Sequence, residues 1–464
     1  MKEESSPYVP LELGTENIST LLRQYAVPAI IAMTASSLYN IVDSVFIGRC
    51  VGTLAISGLA LTFPLMNLSA AFGTLVGIGG ATMVSVFLGR KWYKPANKVL
   101  GNTFSLNVLT GLLFMVVTLL WLDPILRFFG ASDDTLPYAR EYMVILLYGN
   151  IITHLYFGLN GIMRAAGHPR RAMFLTLFTV FINTLLDAVF IYVLEWGIQG
   201  AAWATILSQT LAFLIIMVDF SSTKRVLHFT PKSFIPDWRI ARDSLEIGFA
   251  PFLMNAAACV VTMIINQQLQ CYFGDMGIAS FGICNRIAFL FIMVCIGLNQ
   301  GMQPIAGYNF GAKLYSRVKL VYNRTVMWAT VVVTIATLLS LFCPDRITGA
   351  FTHDPALIAD SAHALRIMNC MMFIVGFHII TTNLFQCLGM VRQSIFLSLI
   401  RQLLYLVPLL YLLPLWLEGD GIWWSFPISD LMSFVTAMIM RFSLLRKFDS
   451  LQDGEDGEIL GSKL

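Results

Sequence analysis

Long apolar runs alternate with short polar connections between residues 24 and 444. A membrane-crossing helix needs about 20 mostly apolar residues. Twelve stretches reach that length: 24–48, 59–88, 98–121, 137–162, 171–195, 198–219, 244–271, 282–310, 318–343, 358–388, 394–416 and 421–444. The pattern predicts an all-α polytopic membrane protein with twelve transmembrane helices. Residues 1–23 are left as an N-terminal segment, 220–243 as a basic linker and 445–464 as an acidic tail.

Composition agrees with a bilayer as the solvent. Of 464 residues, 57% are hydrophobic and 12% charged, where soluble domains carry about 25% charge. That excludes a soluble globular fold, a disordered chain and a basic nucleic-acid-binding surface. The eight cysteines form no C-x-x-C pair and no zinc spacing, so they predict small apolar fillers. The polar, acidic start MKEESSPYVPLELGTEN predicts no cleavable signal peptide.

Orientation is read from Lys and Arg in the loops. Loops after even-numbered spans carry 17 of them, among them Arg90, Lys91, Arg170, Arg171, Arg225 and Lys313; loops after odd-numbered spans carry 6. The odd loops hold acids such as Asp133, Asp134, Glu195, Asp354 and Glu418. Both termini are therefore expected in the cytoplasm.

The chain also repeats itself. Pro28 in AVPAI matches Pro251 in FAPFL, and Gly89-Arg90-Lys91 matches Gly311-Ala312-Lys313. GHPRRAMFLTL from Gly167 matches GMVRQSIFLSL from Gly389, while Gly200 and Trp203 match Gly421 and Trp424. All four correspondences fall at offsets of 221 to 223. They predict two six-helix lobes, 24–219 and 244–444. An even number of spans per lobe gives parallel repeats, related by an axis along the membrane normal, as in rocking transporters.

Ionisable side chains inside spans are costly and point to function. Asp43 lies in the first span, Asp187 in the fifth, and His154, His378, Arg401 and Asp430 in the fourth, tenth, eleventh and twelfth. Measured by helical rise, Asp43, Asp187 and Thr205 sit about 8, 12 and 10 Å from the outer ends of their spans. Asn183 precedes Asp187 by four residues, placing both on one helix face. Two carboxylates, an amide oxygen and a hydroxyl at one depth suit a proton or Na⁺ rather than zinc. The competing reading is interhelical hydrogen bonding without function. His154, His378 and Arg401 read as packing polars or cavity residues, and Asp430 has no matched partner in the sequence. Pro28, Pro64, Pro251, Pro304, Pro408 and Pro427 interrupt spans as kinks or hinges.

YNIVDSVFIG around Asp43, LNGIMRAAGHPRRAM around Gly167, NTLLDAVF with Asn183 and Asp187, GAAWAT with Thr205, and QGMQPIAGYNFGAK together resemble the multidrug and toxic compound extrusion (MATE) family, in its DinF-like prokaryotic branch. The resemblance runs from Pro28 to about Arg446. It implies a V-shaped transporter of two pseudo-twofold-related lobes in the bacterial inner membrane. Its activity would be export of amphipathic, often cationic, organic compounds against H⁺ or Na⁺. It implies a cation-coupling set of Asp43, Asp187, Asn183 and Thr205, which would double as the metal site if the ion is Na⁺. Tyr39, Asn40, Asn160, Met173, His378 and Arg401 are assigned to the substrate cavity. No cofactor beyond the coupling ion and no nucleic acid is implied; the partners are small organic molecules and the bilayer, and the chain is expected as a monomer. Other family members carry acids in the seventh and tenth spans. MNAAACVVTMIINQQLQ and MFIVGFHIITTNLFQ have none here, so coupling is expected in the first lobe. The alternatives are a lipid-linked oligosaccharide flippase of the same superfamily and an intramembrane enzyme. The first would need a more cationic cavity; the second lacks YD, GxGD and HExxH motifs.

Overall fold

A computed structural model describes residues 12–50, 53–222 and 225–454, without the side chains of 38–50, 53–57, 60 and 275. The described residues are helical and hold no β-strand. Each expected span falls on a helix. The first is α1, Ile18–Cys50, followed by α2, Thr53–Gly89, α3, Tyr93–Leu120, α4, Leu136–Ala165, α5, Pro169–Val193, and α6, Gly197–Ser221. The second set is α7, Trp238–Gly274, α8, Met276–Gly311, and α9, Tyr315–Phe342. It ends with α10, Pro355–Met368 and Met372–Cys387 bent by 54°, α11, Val391–Leu417, and α12, Asp420–Asp449. A ten-residue gap was expected between the seventh and eighth spans. Instead α7 runs directly into α8, and the chain reverses at Gly274, where φ is 63° and ψ −152°. Glycine meets no Cβ clash in that conformation, so one residue replaces a loop.

The repeat is legible in the backbone as well as in the sequence. Lys91 and Lys313, which follow α2 and α8, have φ of 60° and 61°. Glu195 and Glu418, which follow α5 and α11, have 55° and 50°. Gly167 and Gly389, which follow α4 and α10, have 94° and 66°. Left-handed residues commonly terminate helices, but lysine and glutamate pay a steric penalty there. Their recurrence at matching places marks one six-helix design used twice. Short helices Leu122–Phe128 and Pro344–Gly349 likewise follow α3 and α9.

Two compact units divide the chain: Met1–Glu16 with Ile31–Phe252, and Asn17–Ile30 with Leu253–Leu464. The changeovers fall just after Pro28 and Pro251, so the openings of α1 and α7 each belong with the other repeat. Glycine is the reason. In the first unit a Cβ on Gly79 would lie 1.9 Å from Ser244 O, and one on Gly248 would lie 1.6 Å from Leu75 O. The α2 and α7 backbones thus touch directly. In the second unit a Cβ on Gly297 would lie 2.7 Å from Ile30 Cα, and one on Gly301 2.5 Å from Ala26 Cα, both in α1.

The linker is fastened rather than loose. Asn97 Nδ2 donates to Val226 O at 3.0 Å, His228 N to Asn97 Oδ1 at 2.9 Å, Ser105 Oγ to Phe234 O at 2.8 Å, and Asp237 N to Asn102 Oδ1 at 2.7 Å. Phe229 and Phe234 stack at 5.0 Å and both meet Phe104 edge-on. Lys98 pairs with Asp237.

Two outcomes are expected. Gly248→Leu forces α7 off α2 and should cost about 1–3 kcal/mol, as overpacking does; an unchanged melting temperature in detergent would contradict this packing. The hydrogen bond from Lys98, with smaller help from the Arg239 N–H and the Lys98 charge, holds Asp237 below the usual carboxylate range. The unfolded carboxyl titrates higher, so the contact is complete at neutral pH and is lost only as pH falls through the lowered value. Hydrogen exchange in 225–237 should therefore rise only in strong acid, and Lys98→Met should bring that rise to higher pH.

Candidate functional site

Asp187 closes the regular part of α5, and π-helical turns begin at Ala188. Such widened turns are frequent at functional positions because they re-aim side chains. Asp187 is fully buried, as are Asn183, one turn earlier on the same face, and Thr205 of the neighbouring α6. Asn183 Nδ2 lies 3.3 Å from Thr205 Oγ1. With the amide rotated by 180°, its nitrogen donates to Asp187 Oδ2 at 3.0 Å and its oxygen accepts from Thr205 N at 3.1 Å. The rotated form satisfies both ends and gives the carboxylate a donor, so it is the better assignment. Three of the four expected coupling residues are thus one cluster of oxygen donors and one amide. Asp43 belongs to α1, and its side chain, with those of Tyr39 and Asn40, lies outside the described residues.

The cluster continues toward the other end of α6. Gln209, one turn after Thr205, accepts from Thr153 Oγ1 of α4 at 2.5 Å. Thr179, one turn before Asn183, donates to Tyr156 Oη at 3.3 Å. Asn160 Nδ2 donates to Ala172 O at 3.2 Å, beside half-buried Met173. Sequence reading missed Thr153, Tyr156, Thr179 and Gln209, although helical spacing from Asn183 and Thr205 would have found the last two.

His154 lies in a separate neutral group. It is fully buried, with Nε2 3.4 Å from Ser69 Oγ. Ser69 donates to Asn150 Oδ1, and Asn150 Nδ2 donates to Gly111 O at 3.3 Å. This network joins α2, α3 and α4.

In the second unit the structure corrects the reading of Asp430 as partnerless. Arg401 Nε donates to Asp430 Oδ1 at 2.6 Å, and His378 is buried nearby. Among the described residues no group of three His, Cys, Asp or Glu could hold a metal ion, and seven described cysteines are free thiols.

The amide orientation is testable. Asn183→Leu removes a donor to a charged acceptor, worth about 1.5–3 kcal/mol, whereas Thr205→Val removes a hydroxyl that donates to Ala201 O, a neutral bond worth about 0.5–1.5 kcal/mol. Thermal melts should rank the two variants in that order; the reverse ranking would favour the unrotated amide.

Known proteins share both the sequence and the fold. The MatE family model matches residues 28–189 and 250–412, one stretch in each repeat. The chain is 28% identical over 444 residues to the multidrug export protein MepA of Staphylococcus haemolyticus (strain JCSC1435), covering 96% of this chain and 97% of that protein. It is 26% identical over 423 residues to MepA of Staphylococcus aureus (strain N315), covering 91% and 93%. Among solved structures, a MATE protein in the bent conformation superposes with a TM-score of 0.90 at 23% identity, over 96% of this chain and 100% of that one. An outward-facing multidrug resistance MATE family transporter of the MOP superfamily gives 0.89 at 23% identity, with the same coverage. With a family match in both halves and this fold throughout, the chain belongs to the MATE family of membrane transporters.

Proposed function

We propose that this transporter is a cation-coupled antiporter that exports amphipathic, often cationic, organic compounds from a bacterial cell. It would act as a monomer in the plasma membrane, with both termini in the cytoplasm and coupling of the DinF-like kind. The observation that carries the reading is Asp187, fully buried inside a membrane span with Asn183 and Thr205 around it. A carboxylate in that setting needs a cation or proton as its counter-charge. The multidrug export named for the MepA relatives supports the direction and the substrate class.

Asp43, Asp187, Asn183 and Thr205 would form the coupling set. In the outward-open state Asp43 and Asp187 take up H⁺ or Na⁺ from outside, driven by about 2.3 kcal/mol per 100 mV for each charge moved inward. Neutralising the pair removes its attraction for a cationic substrate, which leaves to the outside. The repeats then rock, the ion leaves to the cytoplasm, and the restored negative charge draws in the next substrate. Na⁺ would find oxygen donors from both carboxylates and Thr205, and from Asn183 once its amide turns its oxygen toward the ion. Tyr39, Asn40, Asn160, Met173, His378 and Arg401 would contact the substrate. Arg401 offers a single guanidinium, rather than the strongly cationic cavity that a flippase for polyanionic lipids would need.

Efflux of ethidium from vesicles, with pH and Na⁺ gradients imposed separately, identifies the ion. Asp187→Asn and Asp43→Asn should each abolish driven efflux while the protein still inserts in the membrane. Efflux at the parental rate by either variant would overturn the assignment.

A further inference from the structure

The second unit holds a charged cluster that the coupling reading leaves unused. Arg401 lies in the π-helical stretch Ile400–Leu406 of α11 and bonds Asp430 of α12 through Nε. The pair is lopsided: the Asp430 side chain is 5% exposed and that of Arg401 26%. A guanidinium carries five N–H donors. Among the described residues, only the Nε–H of Arg401 has an acceptor. The cluster therefore leaves the terminal amino groups of a partly exposed guanidinium without an acceptor among the described residues, while the carboxylate is buried. His378 of α10, 6% exposed, adds an imidazole whose Nδ1 has no partner among the described residues.

Depth rules out a merely interfacial arginine. Arg401 and Asp430 each lie ten residues into their helices, about 15 Å from the nearer end. A charge at that depth faces a bundle interior or a water-filled cavity, not lipid. The open side of Arg401 is therefore a place where a solute can arrive.

The repeat shows that helix packing does not require this charge. Its register sets Arg401 on Thr179, Asp430 on Gln209 and His378 on Tyr156. There the first unit makes neutral bonds, Thr179 to Tyr156 and Thr153 to Gln209. Conversely, Asn183, Asp187 and Thr205 correspond to Tyr405, Leu409 and Phe426. At these positions each repeat carries charge where the other carries neutral or apolar groups.

We propose that Arg401, held by Asp430 and flanked by His378, is an anion-recognising subsite that binds the carboxylate of amphipathic substrates carrying one. The proposal rests on the export reading above and names a substrate class within it. Arg401 pairs well with a carboxylate because charge-assisted N–H···O bonds are strong and directional. Asp430 acts as a positioning residue that fixes the guanidinium.

Export of a rhodamine with a free carboxylate, and of the methyl ester of the same dye, tests this in vesicles. Arg401→Gln should lower export of the free acid about tenfold or more and that of the ester by about twofold at most. Because Arg401→Gln leaves Asp430 buried without its partner, Arg401→Gln with Asp430→Asn serves as the neutral control and should show the same selective loss. Equal loss of both dyes in both variants, or retention of acid export, would overturn the subsite. So would parental protein that exports the ester but not the acid. Parental protein that exports neither dye would instead overturn the export reading, and the subsite with it.

Discussion

Helices in a bilayer gain nothing by hiding apolar surface from lipid, so they associate only through close packing and interhelical hydrogen bonds. Everything else in this chain follows from that constraint. A Cβ on Gly77 of α2 would lie 2.8 Å from Gly158 Cα of α4, so two helix backbones meet there with no side chain between them. The same device joins α2 to α7 and α8 to α1. These contacts are why each compact unit takes the opening of a helix from the other repeat. The changeovers beside Pro28 and Pro251 place the missing helical hydrogen bond where one helix must serve two units.

Once backbones are that close, polar side chains between them must find partners within the bundle. The first unit solves this almost entirely with neutral groups: Ser69, Asn150 and His154 in one network, Thr153 with Gln209 and Tyr156 with Thr179 in others. Asp187 stands out against that background. Its amide partner Asn183 comes from its own helix, and the pair is fully buried inside a span.

Much of this was legible in the sequence because it depends on periodic or local signals. Hydropathy located every span, and the matched strings located the repeat. Asn183 and Asp187 were paired by helical spacing, and Thr205 by depth. What stayed hidden depends on contacts between distant segments. Nothing near Arg401 or Asp430 announces that α11 and α12 bring them together, and nothing in 225–237 announces that α3 binds it. The Gly274 reversal was hidden for a different reason. Hydropathy sees a polar interval between two spans and assigns a loop, whereas one left-handed glycine suffices to turn the chain.

The repeat adds an argument that neither half could supply alone. Backbone geometry has been kept closely enough that lysine and glutamate hold the same strained φ in both copies. Side-chain chemistry has been kept at some corresponding buried positions, such as Thr103 and Thr325 or Ser208 and Ser429, and has diverged at other corresponding positions, such as Thr179 and Arg401 or Gln209 and Asp430. Since the conserved backbone shows similar packing demands, packing alone does not account for Asp187 in one copy and the Arg401–Asp430 pair in the other, whereas the proposed coupling and recognition roles would. A carboxylate in the first repeat suits a cation, and a partly exposed guanidinium in the second suits an anionic group. Two repeats with different local charge can thus divide the proposed ion coupling and substrate recognition between them, which identical repeats could not.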